Sequence, residues 1–336
     1  MKVKKFSVLA LVLVLMLAFV GCSQQPSGSG EVDEEDNTVE FPSRPIEWIV
    51  HSGAGGGSDI AARTSSLLIQ DIIGTNIVVA NHTGGDGAVQ MDYLQSQPAD
   101  GHTWALMTAA QFGTMIRSNV DYTLEDWIPV VNMQVDPRWL AKRADDDRFA
   151  DINDVIAYAK ENPGELSVAG MGFGTDYMVI STFMEEEGIE VNYVPHDSTG
   201  DAVVAMLGKH TDLLMGSIVS FIDYVEVGDI VPLLLFWEEK AEKFPDVPAA
   251  GDDLGHESAY LATIRGVFVR AGTPDEVVQK IHDAVYEAMQ TQDYKDFEEA
   301  TLQDLVVGYR NTADYKELCE EYYAIFEKML KKLGEI

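Results

Sequence analysis

Ile46-Glu-Trp-Ile-Val-His-Ser-Gly-Ala-Gly-Gly-Gly-Ser-Asp-Ile-Ala-Ala-Arg63 is the stretch on which the fold turns. Residues 46–50 form a short apolar run after Pro45, which reads as a buried strand. Gly53, Gly55, Gly56 and Gly57 then break the pattern, because glycine lets a backbone turn tightly with its amides exposed. Ser58 suits an N-cap, and Ile60, Ala61, Thr64, Leu67 and Leu68 continue at helical spacing. Strand, glycine loop and capped helix together aim free amides and the positive end of a helix dipole at one point. Two readings fit: a cradle for an anion, or a tight βα turn with no ligand. A Walker A loop is excluded, since Gly57 stands where the phosphate-clamping Lys would precede Ser58. The dinucleotide pattern G-x-G-x-x-G started at Gly53 fails at Ser58. A small anion such as a carboxylate remains.

The same logic repeats downstream. Residues 77–80 read as a strand, followed by a loop with Gly84, Gly85, Asp86 and Gly87 and a helical stretch over 88–96. A third strand over 104–107 ends at Thr108 and Ala109. This βαβ order predicts an α/β protein with mostly parallel strands whose ends line one edge, where ligands of such folds bind. Farther on, Thr273 as N-cap and Pro274 at the first position predict a helix reaching Met289. Val277, Ile281, Ala284, Val285 and Met289 form its core face, and a last helix spans 312–333.

The start of the chain points to export. Lys2, Lys4 and Lys5 precede an apolar run over 6–20 that is short for a membrane span and ends at Gly21-Cys22. Phe19-Val-Gly-Cys22 resembles a bacterial lipobox, so residues 1–21 are expected to be a lipoprotein signal peptide and Cys22 the lipidated N-terminus. Residues 22–40 are Ser, Gly, Gln, Asp and Glu with almost nothing apolar, hence a disordered acidic tether. The expected location is the extracytoplasmic face of the cell membrane, held there by the lipid. The chain has 2 Cys, so lipidation of Cys22 leaves Cys319 alone, without a disulfide, as a small core residue. Net charge is −33, which disfavours nucleic acid and anionic headgroups as partners and resembles adaptation to a salty medium. G-x-S-x-G and H-E-x-x-H are absent and the 7 His are scattered singly, so no catalytic or metal-binding motif is present.

Further motifs carry a resemblance over the whole mature chain. Gly55-Gly-Gly-Ser-Asp-Ile-Ala-Ala-Arg63, Asn81-x-x-Gly-x-x-Gly87 and Asp100-Gly-His-Thr103 come first. Asn162-Pro-Gly-Glu-Leu166, Gly170-Met-Gly-Phe-Gly-Thr175, and Val194-Pro195 with Gly200, Ala202 and Gly208 follow. Phe244-Pro-Asp-Val-Pro248 and Ala271-Gly-Thr-Pro274 complete the order. This series resembles the extracytoplasmic solute receptors of tripartite tricarboxylate transporters, the Bug family. The resemblance implies a two-lobe Venus-flytrap fold of the periplasmic-binding-protein type. Lobe I would be 41–141 plus 262–336, and lobe II 142–261. It implies a monomeric receptor, without cofactor or metal, that delivers a small organic acid or amino acid to the membrane subunits of the transporter. A ligand-sensing lipoprotein signalling to a membrane kinase, and a secreted hydrolase, are the alternatives.

Ligand-contacting candidates come from each loop. The first lobe offers Ala54, Gly55, Gly56, Gly57, Ser58 and Asp59, then Gly84, Gly85, Asp86 and Gly87, and the strand end at Thr108 and Ala109. The second offers Gly172, Phe173 and Thr175, and His196, Asp197 and Ser198; the end of the 212–217 stretch could also reach the cleft. Asp59 and Arg63, at i and i+4, are expected to pair, with Asp59 bracing the loop amides. Asp86 and Asp197 stand where the family has neutral or basic residues. They weigh against a simple polyanion and toward a solute that also carries a cationic group.

Overall fold

The computed structural model describes residues 40–117, 120–256 and 261–336. The expected signal peptide, Cys22 and nearly all of the tether lie outside the described residues. The first sheet begins with β1 (Ile46–Val50), α1 (Gly57–Ile73), β2 (Ile77–Asn81), α2 (Ala88–Ser96), β3 (Thr103–Met107) and α3 (Ala109–Ile116). β4 (Trp127–Asp136) completes this half. The second sheet takes β5 (Arg138–Arg143), α4 (Ile152–Glu161), β6 (Ser167–Met171), α5 (Thr175–Glu187) and β7 (Asn192–His196). α6 (Thr199–Leu207), β8 (Leu213–Ser217), α7 (Ile222–Glu226) and β9 (Ile230–Phe236) follow. β10 (Thr263–Arg270) then returns to the first sheet, before α8 (Asp275–Gln290), α9 (Gln292–Thr301) and α10 (Thr312–Lys332).

Strand orders are β2-β1-β3-β10-β4 and β7-β6-β8-β5-β9. β1 pairs in parallel with β2 and β3, and β6 with β7 and β8. β10 runs antiparallel between β3 and β4, and β5 antiparallel between β8 and β9. Both sheets are therefore mixed and built on one plan. The chain changes sheets at Pro137, directly between Asp136 and Arg138 and ahead of the expected division after 141.

The strands are apolar on both faces because helices cover both. Ile46, Trp48, Ile49 and Val50 of β1 are buried, and Trp48 packs edge-on against Trp104 at the paired position of β3, ring centroids 5.6 Å apart. In α8, Val277, Ile281, Ala284, Val285 and Met289 face the core as their spacing requires. Each large aliphatic side chain so buried contributes about 1.5–3 kcal/mol. α8 starts one residue later than its Pro suggested: Pro274 is the cap, and the Thr273 hydroxyl donates to the Arg270 carbonyl at 2.8 Å. Cys319 is buried in α10.

Candidate functional site

Three βα loops of the first sheet and two of the second face one another. The loop after β1 is braced from within. Asp59 accepts the Gly55 amide at 3.0 Å, the Arg63 guanidinium at 2.9 Å and the Asn81 side-chain amide at 2.8 Å. Burial alone would raise its carboxyl, but these three donors hold it below its ordinary value. The Gly56 amide is taken by the Gly53 carbonyl at 3.2 Å. The expectation of a whole glycine loop offering amides is thus corrected: the Gly55 and Gly56 amides are taken within the loop, and those of α1 begin at Gly57. Helix α1 also begins at Gly57, with Gly56 rather than Ser58 in the cap position.

The structure sorts the sequence candidates into two joined chambers. The deep one, about 20 Å³, is lined by Gly57 and Ser58, Thr108, Thr175, and by residues the sequence reading missed: His51, Arg138, Asp176, Thr199 and Arg265. It has room for about one water. The outer one, about 260 Å³, is lined by the loop Gly84, Gly85, Asp86 and Gly87, by Gly172 and Phe173, and by His196 and Asp197. His51 lines both. Ala54, Gly55, Gly56, Asp59, Ala109 and Ser198 line neither. Ser198 instead caps α6, accepting the Asp201 amide at 3.0 Å. Larger hollows of about 450 and 520 Å³ lie between α5 and α10 and beside β4. Helix and strand side chains line them, not these loops.

Four helices present their first turns to the deep chamber: α1 through Gly57 and Ser58, α3 through Thr108 and Ala110, α5 through Thr175 and Asp176, α6 through Thr199. Each contributes a partial positive charge, while the Ala110 amide of α3 and the Asp201 amide of α6 are already taken by Thr108 and Ser198. Behind them lies a buried ionic cluster. Asp136 pairs with Arg138 and Arg265, and accepts the Ser217 hydroxyl at 2.5 Å and the Gln303 amide at 3.2 Å. Arg138 also reaches Asp176 at 3.3 Å, while Asp176 accepts the Met171 amide at 2.9 Å. Burial would raise the Asp136 carboxyl, but the two guanidinium groups outweigh it and hold it below the ordinary carboxylate value. Asp176 goes the other way, because burial there exceeds the pull of Arg138. With two Arg and two Asp the side-chain charges balance, so the helix termini tip the chamber toward an anion.

Polar groups in the chamber still lack partners. His51 is 4% exposed and Thr175 5%, and neither the His51 ring nitrogens nor the Thr175 hydroxyl meets a hydrogen-bond partner of good geometry. Burial, then the charge of Arg265, push the His51 pKa down to about 4, so its ring is neutral at pH 7. Buried polar groups left unpaired are costly, and a polar ligand relieves that cost.

The two halves touch at the rim. The Gly53 amide donates to the Asp197 carbonyl at 3.3 Å, and the Phe173 amide to the Asp86 carboxylate at 3.1 Å. Asp86 sits in the left-handed region, φ 49°, with its carbonyl held by the Thr114 hydroxyl at 2.8 Å. Burial raises its carboxyl, against the Phe173 amide and Arg117.

Comparison with known proteins agrees with this geometry. Residues 61–335 match the model of the tripartite tricarboxylate transporter family receptor. A Pseudomonas sp. (strain P51) protein from the tcbD-tcbE intergenic region is 30% identical over 256 residues, 75% of this chain and 76% of that one. A solved periplasmic transporter structure shares the fold at TM-score 0.81 and 23% identity, over 87% of this chain and 98% of that one. MatC from Rhodopseudomonas palustris, with bound malate, does so at TM-score 0.78 and 22% identity, over 86% of this chain and all of that one, 100%. The fold is that of the two-lobe periplasmic binding proteins, and the chain belongs to the receptor family of the tripartite tricarboxylate transporters, as a solute-binding receptor and not an enzyme.

Proposed function

We propose that this receptor captures a small carboxylate-bearing solute between its lobes and hands it to the membrane subunits of a tripartite transporter. The lobes are drawn as residues 41–136 with 263–336, and 138–262. The observation that carries the reading is the convergence of four helix N-termini on a chamber whose His51 and Thr175 lack partners. Gly57, Ser58, Thr108 and Thr175 are the residues assigned to the carboxylate. Malate in a structure of the same fold supports the solute class. The lipobox-like end at Cys22 supports a receptor tethered by lipid on the extracytoplasmic face, and we take it to act as a monomer.

Thermal-shift screening of the purified full-length protein against organic acids and their neutral amides tests this. A solute that binds only the native state adds RT ln(1 + [L]/Kd), about 2.7 kcal/mol at a hundredfold excess over Kd. At least one carboxylate should raise the melting temperature while its amide does not. Equal shifts from acids and amides, or none from any acid, would overturn the reading.

A further inference from the structure

The cleft is electrically polarised along its depth. Its inner end has four helix N-termini, and two arginines that Asp136 and Asp176 balance. Its outer end is lined by the acidic residues Asp86 and Asp197 and by no Lys or Arg among the described residues. Arg117, the cation that acts on Asp86, is itself paired with Glu335 at 2.8 Å. Asp86 is fixed in place: one oxygen accepts the Phe173 amide, and its left-handed backbone is pinned by Thr114. Asp86 itself lines the outer chamber. A non-glycine residue held at such an angle beside a site is a pointer to function. His51, nine-tenths buried and without a hydrogen-bond partner of good geometry, lines both chambers, as does Met171.

We infer that the solute carries its own cation: a carboxylate that binds inward, at the helix termini, with an amine facing Asp86 and Asp197. This rests on the carboxylate reading above and narrows it. A dicarboxylate would set its second negative group against the acidic rim, whereas an amino carboxylate meets opposite charge at both ends.

Calorimetry on the full-length protein tests this with matched sets. Alanine, β-alanine and 4-aminobutanoate are each compared with the deaminated acid and with the dicarboxylate of equal chain length. At least one amino carboxylate should bind tenfold or more tightly than its dicarboxylate. The double variant Asp86→Asn with Asp197→Asn keeps an acceptor for the Phe173 amide, and should reduce that preference at least tenfold. Dicarboxylates that match or exceed their amino partners in the wild type would overturn the inference and leave the carboxylate reading standing. An unchanged preference in the double variant overturns it as well. Binding of neither kind overturns both readings.

Discussion

Asp136→Asn is the sharpest perturbation the structure offers. Asp136 is fully buried where the chain passes between the sheets, and its carboxylate faces Arg138, Arg265, Ser217 and Gln303. Asparagine keeps the shape and removes the charge, leaving two buried guanidinium groups with Asp176 as the remaining acidic partner. Breaking a buried ion pair from one side costs about 3–5 kcal/mol. For a protein of this size that lowers the melting temperature by roughly 5–8 °C. The pH dependence follows from the direction of the shift. Asp136 is held below its unfolded value, so its contribution is complete above about pH 4 and is lost as pH falls through the folded pKa. The gap between wild type and variant should therefore be full at pH 7 and narrow in acid. Circular dichroism melts of both proteins from pH 7 down to pH 3 measure it. A loss below about 1 kcal/mol at pH 7, or a gap that does not narrow in acid, would refute the reasoning.

Three further outcomes are expected. Thr175→Val removes an unpaired hydroxyl from the deep chamber; it should leave melting in the absence of ligand unchanged or higher and raise Kd for a carboxylate about 10- to 100-fold by calorimetry. Gly172→Ala places a methyl carbon 2.0 Å from the Asp86 carboxylate at φ +53°, so it should cost about 1–2 kcal/mol in denaturant unfolding and weaken solute binding; an unaltered midpoint and affinity would mean that the rim contact is dispensable. Cys22→Ser should block processing or release the protein from membranes in cell fractionation, and normal processing with full retention would end the lipoprotein assignment.

Much of the architecture was legible because it is written in local physics. The strand, glycine loop and helix at residues 46–73 could be read from apolar spacing and backbone freedom alone, as could the core face of α8. The Asp59–Arg63 pair followed from helical geometry, since i and i+4 are neighbours on any helix. Local reading also misjudged that loop. It counted the Gly55 and Gly56 amides as free, and only the folded turn shows Asp59 and the Gly53 carbonyl taking them. A signal for the missing site residues did exist. Arg138 opens β5 before Trp139 and Leu140, and Arg265 sits within β10 beside Ile264; basic residues next to such apolar neighbours in a very acidic chain mark a buried partner without naming it.

By itself, then, the sequence determined the α/β class, the repeated strand-loop-helix units, the family and the loops from which a site would be built. Tertiary structure alone decided which residues meet. Asp136 and Arg265 lie far apart in the chain, and they join because β10 inserts antiparallel beside β4 and brings Arg265 back to the sheet crossing. His51 acquires its neutral state from burial among residues of both sheets and from the charge of Arg265. Periodicity reports which face of an element is buried, but charge, burial and partners are properties of what lies opposite. That is set by strand order and by which loops of the two sheets meet.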